Sequence, residues 1–571
     1  MHGFLDGDRP LFATYHAPNG AARNIAYVVC LPLHLDLIQS FRSMRMLAEE
    51  LASAGFHVLR FDYDGTCESV GSTDRDPDRV AAWLRSVERA VDLMRAIPGV
   101  EGVGLVGVRM GATFALETST RTDIARLILW EPSAGAFYTR EMEILDASTR
   151  GEGAPPSTDG FVAGGYFLSP ATVADLNKLN PEKMEPKGTP DVLLVYRDDR
   201  RAPPRLQQHL EKRGSSVTVL QKPGHKEMMM MPQRSYVPTE ILSGIREWAV
   251  ERSKTIEGGA AKLDLKSETI VDGVRWKPLR FGASDYLFGI VTEPEGGPKS
   301  GLPSIFLLTG GVTPRTAGNN SYVTLANRLA KKGHTVVRMD VANIGESFTP
   351  NGTPGKDRDP YPPSILDDAR LGLALAKGDE VWLLGLCSGA YAAFQTMKNE
   401  PRIAGAFLLN PERFEIVTTS DSEGEAEQPM GTVDQLEQMN RYWQVMKDPA
   451  AWKKLLSGKA NVGHIVNVVR ARVESKASAT KDRILAKLGR EAKGLAGDFE
   501  KLLARGAKVF LVFSEGDPGH AATLAEIGPR LDDLVKKGLV VKVFPGADHN
   551  FHEMSSRALL LDWVDETIAK G

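Results

Sequence analysis

Cys387 has the local sequence of a nucleophile. It ends the apolar run Val381-Trp382-Leu383-Leu384-Gly385-Leu386, is followed by Ser388-Gly389-Ala390, and opens a segment with helical pattern, AYAAFQTMK. Glycines two positions to either side let a helix pack closely on a strand, so the central side chain is thrust out at a strained strand-to-helix turn. A thiol placed there meets the positive end of the helix, which favours the nucleophilic thiolate. The competing reading is a buried structural cysteine in an apolar turn. Two further residues argue for chemistry. Asp517 follows the strand-like run AKVFLVFS, and His549 lies in FPGADHNF after the last such run. The spacing therefore assigns Cys387 as nucleophile, His549 as base and Asp517 as the acid that orients it. Asp548 and Glu515 are alternative acids read as solvated loop residues, and His552 is an alternative base.

Acyl chemistry also needs donors for a developing oxyanion. The backbone N–H of Ser388, directly after the nucleophile, is one candidate. The turn Thr309-Gly310-Gly311-Val312 offers the N–H groups of Gly311 and Val312 as the second. Ser388 is expected to act through its amide and not its hydroxyl.

The elements that must position these groups occur twice. AEELASAGFHVLRFD from Ala48 matches ANRLAKKGHTVVRMD from Ala326, an offset of 278 residues that also carries Glu68-Ser69 onto Glu346-Ser347 and Gly107–Gly111 onto Gly385–Gly389. A period this long is a duplicated globular unit rather than a solenoid. Each copy alternates apolar strands with helices: 24–32, 57–63, 102–108, 125–130 and 191–196 in the first, then 304–310, 334–340, 380–386, 405–410, 507–514 and 539–546 in the second. Continuous apolar strands of this kind form a mostly parallel sheet covered by helices on both faces. The fold class is α/β, with domains expected at 1–255 and 256–571. The second copy is longer by about 46 residues between the turn motif and its final histidine. The excess, within roughly 413–505, has a helical pattern and is expected to cap the carboxyl edge of the sheet, where open α/β folds bind ligands.

The order nucleophile, acid, histidine along such a sheet resembles the α/β-hydrolase superfamily over nearly all of both halves. More narrowly, LLTGGVTPRTAGNNSYVTLANRLAKKGHTVVRMDVANIGES is similar to exosortase-associated and serine-aminopeptidase-like hydrolases found with polysaccharide and natural-product loci. The resemblance implies acyl chemistry on an ester, thioester or amide through a covalent intermediate. The cysteine departs from the usual serine and is similar to dienelactone hydrolases and polyester synthases. In the first copy Arg109 occupies the centre of the turn, and a guanidinium cannot be an acyl nucleophile. That copy is read as catalytically dead, either a packing partner or, through Arg109, a site for a carboxylate or phosphate.

Composition narrows the partners. Seventy basic against 73 acidic residues leave a formal charge of -3, which gives no field for nucleic acid. Three widely spaced cysteines exclude a disulfide framework and a zinc site, and point to a reducing, cytoplasmic setting. No stretch has the length of a membrane span, and no dinucleotide, P-loop or metal-spaced histidine motif is present, so no cofactor or metal is expected. The stretch from Arg470 to Lys508 holds 11 Lys and Arg against five Asp and Glu. It reads as a solvated helix face, or as a surface steering a small-molecule acyl substrate carried on coenzyme A or an acyl-carrier protein. The Met228–Met231 run reads as packing. The expected function is a cysteine-dependent hydrolase or acyltransferase; the alternative is a non-catalytic scaffold.

Overall fold

The computed structural model describes all residues except 151–158, 257–262, 264, 350–359, 363, 416–493 and 571. Two large sheets form, one from each copy. The first runs in the order His2–Leu5, Leu11–His16, His57–Phe61, Ile25–Cys30, Gly102–Val108, Arg126–Trp130, Asp191–Tyr196, Ser216–Gln221. The second runs Thr269–Val271, Val274–Phe281, Leu287–Pro294, Val336–Asp340, Ser304–Leu308, Val381–Leu386, Ile403–Leu409, Lys508–Ser514, Val540–Phe544. From the strand His57–Phe61 onward in the first, and Val336–Asp340 onward in the second, neighbouring strands are parallel. The inner strands of each sheet are almost wholly buried because helices cover both faces, which explains the continuous apolar runs, whereas the edge strands Ser216–Gln221 and Val540–Phe544 are largely exposed. All eleven expected strands are present. The antiparallel strands that lead each sheet were not anticipated, since Leu11–His16 and Val274–Phe281 mix polar and apolar residues without a clear period.

The expected boundary near 255 adjoins undescribed residues. On either side of that gap Thr255 bridges to Arg23 and Lys266 to Phe4, so both described ends of the connection sit against the first domain. Most of the expected cap and of the basic stretch also lies outside the described residues. Its last part differs from expectation. The helix Leu495–Ala504 buries Phe499 against Phe394 and Phe414 in the core of the second domain. It is a sheet-covering helix, not part of a cap. In the Met run, Met228 is fully buried and Met231 exposed.

The two domains meet through their antiparallel strands. Phe4 and Phe12 of the first pack with Trp276 and Phe288 of the second. Beside this cluster lie two crossed ion pairs. Arg60 donates to both oxygens of Glu346 at 2.9 and 2.7 Å, and Arg338 to both oxygens of Glu68 at 2.7 and 2.9 Å. Each arginine is therefore bound bidentately by the other domain's carboxylate, and all four side chains are at most 3% exposed. Burial pushes the Glu346 carboxyl up, but the charge of Arg60 and its hydrogen bonds outweigh this and hold it well below the usual range.

Removing one partner leaves the other charge buried and unpaired. Arg338→Ala or Glu346→Ala is expected to cost about 3–5 kcal/mol in urea unfolding. Because the folded Glu346 value is lowered, its contribution should be complete above the ordinary carboxyl range near pH 4.5 and vanish as pH falls through the folded value. An acid titration of stability in wild type and Glu346→Gln measures that difference.

Candidate active site

The strand Val381–Leu386 ends in a turn whose backbone is set by contacts at its glycines. A Cβ on Gly385 would lie 2.1 Å from the Gly389 carbonyl oxygen, and one on Gly389 would lie 2.3 Å from the Leu308 carbonyl oxygen. Only glycine fits at either place. Between them Cys387 takes φ 56° and ψ -118°, an unfavourable conformation for a residue with a Cβ. Its N–H is held by the Leu409 carbonyl at 2.9 Å. The side chain is thereby directed away from strand and helix, at the N-terminus of the helix Ser388–Asn399.

His549 and Asp517 come to the same place from the ends of the last two strands. Asp517 is 4% exposed, caps the helix Pro518–Ile527 by accepting the Gly519 N–H, and faces His549 Nδ1 with its other oxygen at 2.6 Å. The other side of the imidazole faces Cys387. The ligating atoms of Cys387, His549 and Glu412 all lie within 4.8 Å of one another. Burial alone would lower the His549 pKa. The hydrogen bonds to Asp517 and Cys387, with their negative charges, overcome it and raise His549 to about 10.

The three alternatives to these residues are engaged elsewhere. Asp548 accepts both the backbone N–H and Nδ1 of His552 at 2.6 Å, so His552 has its own carboxylate. Glu515 accepts the Gly546 N–H from an exposed position.

Three residues at the site escaped the sequence. Asn410, directly after its strand, accepts the Ser514 N–H and donates to the His549 carbonyl at 2.7 Å, which fixes the histidine loop. Glu412 places Oε1 3.9 Å from His549 Nε2. The Tyr361 hydroxyl is hydrogen-bonded to Glu412 at 3.2 Å and also to Cys387, and burial together with those two groups raises its pKa strongly. Tyr361 and Glu412 lie in irregular segments, where no periodicity points to them. Cys387, Glu412 and His549 have donors that could hold a soft divalent metal.

The turn after Ser304–Leu308 lies over the nucleophile. Its Gly311 N–H is occupied, since it donates to Ser388 Oγ at 3.0 Å. The expectation that Gly311 contributes an oxyanion donor, and that the Ser388 hydroxyl is idle, is corrected by this bond: the hydroxyl ties the turn to the elbow. The N–H groups of Ser388, in the first helical turn and without an intrahelical acceptor, and of Val312, at φ 64°, are the remaining candidates.

In the first domain Arg109 repeats the elbow backbone at φ 55° and ψ -121°, with its N–H on the Trp130 carbonyl. Its guanidinium is paired with Asp36 at 3.2 Å and with Glu141. The place an added anion would need is taken by the chain's own carboxylates, which agrees better with the packing reading of Arg109 than with the anion-site alternative. His225 is buried against Trp130.

Residues 307–562 match the model of the alpha/beta hydrolase family. No curated protein matches. Among solved structures, Est1E from Butyrivibrio proteoclasticus with bound ferulic acid is 18% identical, covering 44% of this chain and 98% of its own, with a TM-score of 0.34. Proline iminopeptidase from Mycobacterium smegmatis is 18% identical over 52% of this chain and 98% of its own, at 0.30. XC6422 from Xanthomonas campestris, an α/β serine hydrolase described as lacking a lid, is 20% identical over 44% and 91%, at 0.27. No helix among the described residues is long and apolar enough to cross a membrane. The family-model match thus falls within the second domain, whose mostly parallel sheet has an α/β architecture.

Since His549 is raised in the folded protein, its bound proton stabilises the fold fully below the unfolded value near pH 6.5, and that contribution is lost as pH rises through about 10. The stability gap between wild type and His549→Gln should shrink over that window. Cys387→Ala, which removes two of the raising causes, should move the His549 titration down, as followed by NMR of the imidazole.

Proposed function

We propose that the chain is a cysteine-dependent acyl-transfer enzyme, with residues 256–571 as the catalytic domain and 1–255 as a non-catalytic partner. The observation that carries this reading is the placement of His549 between Asp517 and Cys387 at a strained elbow. Cys387 Sγ attacks the carbonyl carbon of an ester, thioester or amide, and the carbonyl oxygen takes up the charge. The N–H groups of Ser388 and Val312 receive that oxygen. As the tetrahedral species collapses, His549 gives its proton to the leaving group and the acyl group remains on sulfur. His549 then withdraws a proton from water or from an acceptor nucleophile, which releases the acyl group and restores the thiol. Asp517 holds the imidazole with Nε2 turned toward the sulfur throughout.

The nucleophile is tested by intact-mass detection of an acyl adduct after incubation with activated esters and acyl thioesters. Wild type should gain one acyl mass that maps to Cys387, and Cys387→Ala should gain none; an adduct that persists in the alanine variant defeats the assignment. Asp517→Asn should lower kcat by about 10³–10⁴-fold, through loss of the productive tautomer. Ser388→Ala should lower it by no more than about tenfold, because one neutral hydrogen bond, worth about 1 kcal/mol, is lost while the amide remains.

A further inference from the structure

The segment from Thr309 to Asn320 carries the turn that faces Cys387, and its backbone is unusually strained. Val312, Ala317, Asn319 and Asn320 all have φ between 53° and 64°, as does Gly311 with φ 64°. A left-handed β-branched residue is rare and persists only where its surroundings over-determine it. The second domain supplies part of that restraint. Asp340 accepts the Arg315 N–H at 2.6 Å and its Nη1 at 2.7 Å.

The rest comes from the first domain at three separate points. Glu68, fully buried, stands 3.1 Å from Arg315 Nε, and Phe12 lies under the same guanidinium. The hairpin Phe161–Ala163 and Tyr166–Leu168 presses its tip on Asn319: a Cβ on Gly165 would lie 2.3 Å from Asn319 Nδ2, and the Tyr166 hydroxyl meets the Asn319 backbone. Gln233 reaches the turn itself, with Nε2 3.9 Å from where a Cβ on Gly311 would sit. The repeat places Leu37 opposite Arg315, so the first domain has no arginine at the equivalent place.

We infer that the first domain positions the oxyanion turn of the second, with Glu68, Tyr166 and Gln233 as positioning residues that act through Arg315, Asn319 and Gly311. This rests on the acyl-transfer reading for its consequence on rate, but not for its consequence on the loop. The degenerate domain is then a required part of the active centre, although none of its own groups reacts.

The experiment uses the full chain with Glu68→Gln and, as a variant that leaves the buried ion pairs intact, the double substitution Tyr166→Phe with Gln233→Ala. Hydrogen exchange of peptides covering 309–320 should accelerate about tenfold or more in both, while peptides of 381–399 keep wild-type protection. Iodoacetamide labelling of Cys387, which needs no oxyanion donor, should stay within about twofold of wild type. Acylation by an activated ester should fall about tenfold or more in kcat with KM little changed, since one lost donor costs about 10²–10³-fold. Unchanged loop protection in the folded double variant overturns the inference, whatever the chemistry. Loosened loops with normal acylation rates also overturn it. If wild type forms no acyl adduct at all, the functional reading fails while loop exchange still decides the positioning.

Discussion

Two buried arginines, each bound by a carboxylate from the other domain, are the constraint on which the molecule depends. Arg60 and Arg338 stand at equivalent positions of the repeat, as do Glu68 and Glu346, and the pairing is crossed. Separated, each domain would hold an unpaired arginine and an unpaired glutamate, all four now buried. Burying such charges is tolerable only with bidentate partners. The arrangement is also self-complementary: residue for residue, each domain offers the other what it receives. That is the form of an isologous dimer interface, here covalently joined. It explains why a domain with an arginine at its elbow remains intact: its carboxylate neutralises a charge at the centre of its partner.

On this symmetric frame the two carboxyl edges have diverged. The elbow backbone persists in both, within about 3° in φ and ψ, because the flanking glycines pack against backbone that the sheet itself fixes. His34 at φ 55° occupies the place of Val312 at φ 64°. Side chains were free to change where backbone was not. The first domain closes its edge with Arg109, Asp36 and Glu141, three charges that satisfy one another. The second leaves a thiol, an imidazole and a half-exposed carboxylate facing a common space.

Legibility in the sequence followed the locality of the cause. The parallel strands were readable because burial on both faces writes an unbroken apolar run, and the elbow because glycine spacing is a steric requirement within five residues. Cys387, Asp517 and His549 followed from their positions at strand ends. The crossed pairs were visible only as repeated letters, Arg60 with Arg338 and Glu68 with Glu346. Nothing local says that an arginine will find its carboxylate 286 residues away. Tyr361 and Glu412 were hidden for the same reason, since they reach Cys387 from irregular segments on either side of a sheet strand. The Gly311 N–H looked available because sequence shows a donor but not its acceptor, here the hydroxyl of Ser388.

The electrostatics of the site bear on how one imidazole could serve both halves of the proposed cycle. Two of the causes that lift His549 to about 10 come from Cys387, its hydrogen bond and its charge. While the thiolate is present, the imidazole holds its proton and can deliver it to a leaving group. Once the sulfur carries an acyl group, that charge and that acceptor are gone, and burial, the opposing influence, counts for more. The pKa of His549 must then fall, which suits it to accept a proton from the incoming nucleophile.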